Sequence, residues 1–407
     1  MNGAGTVDLP GPVNAHSHAF HRILRGRTHG GAAGGAGTFW TWRDQMYAAA
    51  SALTPDSYGR LATAVFAEMA VSGWTAVGEF HYLHHAPGGK PYADHAMERA
   101  LARAAVAAGI RLVLLDACYV DGGLDDAGRP VPLDETQRRF SDGGAPAWLE
   151  RLGGLRAALA EEDGGRGLVG LGAAIHSVRA VPPRDLDAIA GGLDPAVPLH
   201  VHLSEQPAEN AACLAAHGAT PAALLQRHGL LTGRLSAVHA THLTGADIAL
   251  LGDAGATVVM CPTTEADLAD GIGPARELAD AGAGLALGTD QHAVVDPFLE
   301  MRALEHGERL RSGVRGRFSP GELVAASRGG GLRSLGLPGN GDRVAVRSGS
   351  LRTAGSRPAQ LPLTATASDV ASVVVNGVEV ARDGIHASLG DPAGLYRAFL
   401  AEHPEFA

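Results

Sequence analysis

The chain has 407 residues, of which 45% are apolar, and a formal net charge of −10; one large domain or two ordinary ones can bury a substantial core at this size. No stretch forms a basic stripe able to neutralise phosphates, which excludes nucleic acid as a partner, and no run of ~18 apolar residues offers a membrane span. The opening MNGAGTVDLPGPV lacks the basic-then-apolar pattern of a signal peptide, and Cys118, Cys213 and Cys261 form no Cys-x-x-Cys pair, so a cytoplasmic globular protein without a disulfide framework or thiolate zinc site is expected.

The first strand is predicted over 13–16, after a Pro-Gly-Pro turn, and alternation places His16 and His18 on one side near its C-terminal end. The Gly-rich run 28–40, THGGAAGGAGTFW, lacks the Lys-Ser/Thr ending of a phosphate loop and opens no clean helix; it reads as a mobile loop. The segment LTPDSYGRLATAVFAEMA has helical spacing at Leu61, Val65, Glu68 and Met69, with Asp56 as the expected N-cap. Further strands are predicted over 76–80, 111–117, 169–174, 199–203, 236–240, 257–260 and 284–287. Helices are predicted between them over 55–71, 94–108, 147–161, 207–217, 221–228, 245–251 and 274–281.

Eight strand–helix alternations point to an α/β fold, a (β/α)8 TIM barrel over 10–337. After Leu337 the pattern changes to short β-rich pieces with an Asn-Gly hairpin signal at Asn376-Gly377, ending in a helix over 391–402. With 1–9, the segment 338–407 is expected to form a small, reduced β-sandwich-like module.

Polar residues punctuate the strand ends. His16-x-His18 has the spacing that two imidazoles need to reach one ion at ~2.0–2.1 Å each, although such pairs also occur as packed core histidines. His200 and His202 alternate in the same way, with Glu205 just beyond, and a histidine ligand near a non-ligating carboxylate suits a hydrolytic site in which an ion acidifies water and the carboxylate moves protons. His239 and His242 end the sixth strand. Asp290 ends the eighth, either as a ligand or as a proton acceptor, with His292 beside it. All these residues fall on the C-terminal face of the barrel, where such folds keep their chemistry.

The stretches PGPVNAHSHAFHR, TFWTWRDQMY, VGEFHYLHH, HLSEQ, VHATH, MCPTTEADLADGIGPA and LGTDQH resemble the amidohydrolase superfamily and, within its deaminase branch, the formimidoylglutamate deiminase family of histidine degradation, from about Pro10 to Leu335. The resemblance implies one zinc ion held by His16, His18, His202 and Asp290, with iron or manganese acceptable to the same donors. It implies Glu205, His239 and Asp290 as the catalytic set: Asp290 takes a proton from water, Glu205 hands one to the substrate nitrogen, and His239 stabilises the tetrahedral intermediate. It further implies that His21, Arg43, Tyr82, His176 and Arg179 line the carboxylates of a small dicarboxylate amino-acid derivative, a task suited to the planar guanidinium. A homodimer is also implied.

This chain departs from the family pattern at three places. His21 stands where glutamine is common, and a protonated ring there would favour a carboxylate. TDQH replaces SDSH, so Gln291 is expected to alter substrate fit. Only nine residues precede Pro10 where the family carries far more β-structure, so a reduced β module is expected. Cys261 reads as buried packing at a strand end rather than a nucleophile. Two other readings compete: deamination of a nucleobase or aminated ring, for which two arginines are uncalled for, and a metal-binding barrel without catalysis.

Overall fold

Short aliphatic runs pair as parallel strands that bury one face under helices and the other in the barrel interior, which is why they read as continuous apolar segments. A computed structural model of the protein describes residues 5–28 and 37–406. The strands are β1 (Thr6–Pro10), β2 (Val13–Ser17), β3 (Ala76–His81), β4 (Arg111–Cys118), the short pieces β5 (Gly123–Leu124) and β6 (Pro130–Val131), β7 (Val169–Ser177), β8 (Leu199–Leu203), β9 (Leu235–His239), β10 (Thr257–Met260), β11 (Gly284–Leu287), β12 (Arg343–Arg347), β13 (Val370–Val375), β14 (Val378–Arg382) and β15 (Ile385–His386).

Eight of them form one parallel sheet in the order β2-β3-β4-β7-β8-β9-β10-β11, each falling on a predicted strand. The sheet curls into a barrel that closes at its C-terminal edge through a parallel bridge between Ser17 and Asp290. Asn14 laces the same seam, donating from Nδ2 to Thr289 Oγ1 at 2.7 Å and accepting from the Thr289 N–H at 3.0 Å. Register shifts interrupt β2–β3 between Asn14 and Ser17 and β7–β8 between Ile175 and Ser177, re-aiming side chains beside the site as bulges do.

The helix over Pro55–Ser72 is capped by Thr54, not Asp56: Thr54 accepts from the Ser57 N–H, Pro55 takes the first helical position, and Asp56 lies in the first turn. A proline with its φ preset and no N–H to satisfy fits that first position. Among the described residues the longer helices that went unpredicted are Phe39–Ala52, Pro183–Gly192 and Pro297–Ser312. The first begins inside the Gly-rich run; most of the loop expected there, residues 29–36, lies outside the described residues. Its start is a capping box in which the Thr38 side chain accepts from the Thr41 N–H and the Thr41 side chain from the Thr38 N–H.

The β module is one antiparallel sheet, β1-β12-β13-β14-β15, in which β1 pairs β12 along its whole length. Asn376 and Gly377 both take positive φ, 47° and 80°, in the β13–β14 hairpin, as a primed turn requires. The last helix, Pro392–Glu402, has Asp391 as its N-cap and packs on Pro55–Ser72.

The histidines of VGEFHYLHH feed a buried polar network behind β3 and β4. His84 Nδ1 lies 3.0 Å and His81 Nε2 3.5 Å from Glu98 Oε1. Arg151 reaches that same oxygen at 3.2 Å, grips Asp116 at 2.8 and 2.9 Å, and pairs with Asp142. The guanidinium supplies the positive charge this carboxylate cluster calls for, so the network ties helices to the barrel wall.

Candidate metal centre and active site

His16 stands at the end of β2, His18 just beyond it, His202 within β8, His239 at the end of β9 and Asp290 past β11. Five non-glycine residues around them adopt left-handed backbone: Ser204 (φ 51°), His239 (68°), Ala240 (51°), Asp290 (42°) and His292 (60°). Such strain concentrates where surrounding structure over-determines a site. Gly288 allows the close approach at the seam, because a Cβ there would meet His16 Cβ and its carbonyl oxygen at 2.8 Å and Cys261 Sγ at 3.0 Å.

Neighbouring carbonyls orient the rings. His18 Nδ1 donates to Phe80 O at 2.8 Å and His202 Nδ1 to His176 O at 2.9 Å, leaving each Nε2 as a lone pair aimed at the centre. His16 Nε2 lies 3.2 Å from His202 Nε2 and 3.2 Å from Asp290 Oδ1, and His18 Nε2 is 3.4 Å from the same oxygen. A tetrahedral ion with ligands at ~2.0–2.1 Å spaces them about 3.3 Å apart. Acceptors packed this closely fit one divalent cation and would otherwise repel. Burial lowers the pKa of all three histidines, keeping the neutral, ligating form. Burial works to raise Asp290, but its bond to His16 and the charge of His16 and His239 hold it below the usual carboxylate range.

His239 sits between two carboxylates, 3.7 Å from Glu205 and 3.6 Å from Glu265. Burial opposes its charge, yet Glu205, Glu265 and Asp290 outweigh that and hold its pKa at about 10. Burial, aided by Asp290 and opposed by His239, pushes Glu205 above its ordinary value. The backbone of Glu205 is pinned by its N–H donating to Glu209 Oε2 at 3.1 Å. The site thus holds an anion, a cation and an acid with a raised pKa within one largely buried cluster, a set suited to general acid–base chemistry.

The cluster opens into a cleft that His18, His202, Glu205, His239 and Asp290 line together with His21, Arg43, Tyr82, His176 and Arg179. All the expected site residues therefore meet. Among the described residues Arg179 makes no ion pair and its buried Nε has no hydrogen-bond partner, while its charge acts at longer range on Glu205 and Glu209. His21 Nε2 lies 3.1 Å from the Tyr82 hydroxyl. Burial drives His21 down to about 3, so the protonated ring envisaged for binding a carboxylate is corrected to a neutral one, which contributes hydrogen bonding alone.

Other residues singled out from the sequence lie away from the cleft. His200 Nε2 bonds Ser334 O at 2.9 Å, and His242 Nε2 bonds Asp270 O at 2.8 Å. His292 lies 3.1 Å from both Ser17 Oγ and Thr289 Oγ1. Gln291, expected to alter substrate fit, instead donates to Asp267 Oδ2 at 2.8 Å and does not line the cleft. Cys261 is buried among Ala15, Val238, Val259 and Ala286 in the barrel interior, and burial raises its thiol well above its ordinary value. Sequence reading missed Trp42, Tyr47, Tyr119 and Phe140, which complete the cleft wall. Spacing carries no signal for them, since Trp42 and Tyr47 come from the helix Phe39–Ala52, Tyr119 from just past β4 and Phe140 from the turn Gln137–Phe140.

A sequence profile described as the amidohydrolase family matches residues 8–347. The formimidoylglutamate deiminase of Pseudomonas aeruginosa is 37% identical over 98% of this chain and 90% of its own length. The crystal structure of an amidohydrolase from Brucella melitensis superposes with a TM-score of 0.87 at 32% identity, over 98% of this chain and 90% of that one. An adenosine deaminase from Xanthomonas campestris with bound zinc gives a TM-score of 0.81 at 25% identity, over 99% and 86%. With its barrel, its convergent histidines and these likenesses, the chain belongs to the amidohydrolase family and is one of its hydrolytic deaminases.

Proposed function

We propose that the protein is a zinc-dependent deiminase that hydrolyses the formimino group of N-formimino-L-glutamate to N-formyl-L-glutamate and ammonia, a step of histidine degradation. The observation that carries the substrate class is Arg179: its guanidinium lines the same cleft as the metal cluster, its buried Nε has no hydrogen-bond partner among the described residues, and its charge acts on Glu205 and Glu209 only from beyond ion-pair distance. Such a cation calls for an anionic substrate, which a neutral nucleobase is not. Likeness to the Pseudomonas deiminase supports the same reading.

His16, His18, His202 and Asp290 would hold the ion, which when bound supplies a water acidified towards pH ~7. Asp290, kept low by its histidine neighbours, accepts the proton of the attacking water. Glu205, with its pKa raised, protonates the nitrogen that leaves as ammonia. Cationic His239 stabilises negative charge on the attacking oxygen as the tetrahedral intermediate forms. Arg43, Arg179, His176, Tyr82 and His21 bind the two carboxylates and hold the formimino carbon over the cluster. A homodimer, which the resemblance implies, belongs to the same proposal and is read by sedimentation.

The purified protein with N-formimino-L-glutamate should release ammonia and N-formylglutamate in equal amounts. Chelation should abolish release, and added zinc should restore it. No release from this substrate, with ready deamination of a purine or pterin, overturns the reading.

A further inference from the structure

The cleft wall is layered by ring contacts. Tyr82 and His176 lie against the metal histidines, with centroids 5.3 Å (Tyr82–His18) and 5.2 Å (His176–His202) apart. One layer further out, Tyr119 packs on His176 at 4.5 Å, and Phe140 joins Tyr119 and Tyr47 at 5.5 and 6.0 Å. Arg43 lies over the Tyr47 ring at 5.6 Å. This outer end of the cleft is organised by Gln137, a buried residue in the turn Gln137–Phe140 that no motif pointed to.

Backbone groups set the orientation of the Gln137 amide. The Asp134 N–H donates to Oε1 at 2.9 Å, and Nε2 donates to Gly122 O at 3.1 Å. Its remaining N–H is shared between the hydroxyl oxygens of Tyr119 at 3.0 Å and Tyr47 at 3.1 Å. An amide nitrogen cannot accept, so neither phenol can return its proton to Gln137. One phenol can pass its proton to the other, and that still leaves one O–H to donate into the cleft. Burial holds the Tyr119 hydroxyl well above its ordinary pKa, so it remains a donor.

We propose that Gln137 is a positioning residue that sets the preference for a second carboxylate: by sharing its second N–H between the phenol oxygens of Tyr47 and Tyr119 and accepting from neither, it leaves a phenol proton for the outer end of the cleft, where the substrate's side-chain carboxylate is received. This rests on the dicarboxylate reading above. Gln137 acts through the tyrosines and touches no reacting atom. In Gln137→Glu the isosteric carboxylate accepts the phenol protons and withdraws them from the substrate.

The test compares binding, by calorimetry on the metal-loaded protein, of N-formyl-L-glutamate and N-formyl-L-norvaline, which lacks the side-chain carboxylate. The wild type should prefer the former at least about tenfold, the scale of a hydrogen bond to a charged group. Gln137→Glu and Tyr119→Phe should each reduce that preference to under about threefold while leaving norvaline-analogue binding in place. In turnover, KM for the formimino dicarboxylate should rise far more than kcat falls, a split that general destabilisation does not give. Tyr119→Phe keeps the ring packing, so it carries the test if Gln137→Glu folds poorly. A wild-type preference that survives both variants overturns this inference alone. A wild type with no preference overturns it together with the dicarboxylate reading, while ammonia release from formimino substrates reports separately on the deiminase reading.

Discussion

The His18 N–H donates to the Asp290 carbonyl at 3.0 Å, so the first and last barrel strands meet through the residues that converge on the metal. Closing the barrel and building the centre are one event. Neither strand end holds its ligand in place without the other.

Gly288→Ala should separate the two. Its Cβ would press on the His16 carbonyl at 2.8 Å, a backbone atom that cannot rotate away, so His16 must shift. We expect metal affinity to fall about 10–100-fold, as for lost ligand support, measured as metal retained after dialysis. Full occupancy with unchanged affinity sinks the argument that this glycine keeps the seam closed.

Glu205→Gln retains the shape and the backbone bond to Glu209 but cannot deliver a proton. Ammonia release should fall by about 10²–10⁴, the range for a general acid–base group, with metal content unchanged. A loss of metal in this variant would instead place Glu205 among the ligands.

Arg139 is almost fully buried and spends its guanidinium on carbonyls: His85 at 2.8 Å, Ser51 at 2.9 Å, Leu53 at 2.7 Å and also Ala50. Three of these end the helix Phe39–Ala52 that carries Arg43 and Trp42. Arg139→Met leaves them unsatisfied, so stability should drop about 2–4 kcal/mol and KM should rise as Arg43 loses its support. Denaturant unfolding and steady-state kinetics read the two effects.

Glu209 gives stability a pH dependence. Burial, opposed by Arg179 and reinforced by Glu205, raises its pKa from 4.5 to about 7, so the folded state binds this proton more tightly than the unfolded chain. Its contribution is fully present below about pH 4.5 and is lost as pH rises through about 7, up to roughly 3 kcal/mol. Glu209→Gln cannot ionise. The stability of this variant relative to wild type should therefore climb between these pH values, followed by urea unfolding of the metal-loaded protein, and a flat difference would refute the assignment.

The legible parts of this protein share a physical cause. Each barrel strand is a short apolar run buried on both faces, so composition alone marks it. His16 and His18 show themselves because strand alternation puts both on one side of the strand end, whereas the choice of His202 over His200 comes from the family resemblance. Thr54 and Thr38 were missed as caps for different reasons: Asp56 competed as the capping residue beside Pro55, and Thr38 pairs with Thr41 where a glutamate would have drawn attention.

By itself the sequence determined the strand positions, the donor types and the positive charge available to a substrate, because these depend on residue types and patterns within a few residues. Tertiary structure decided which histidines converge, that His21 is neutral, and how Gln137 orders Tyr47 and Tyr119. Those outcomes depend on burial and on hydrogen bonds between groups distant in the chain, and both come into being when the barrel closes at Ser17 and Asp290.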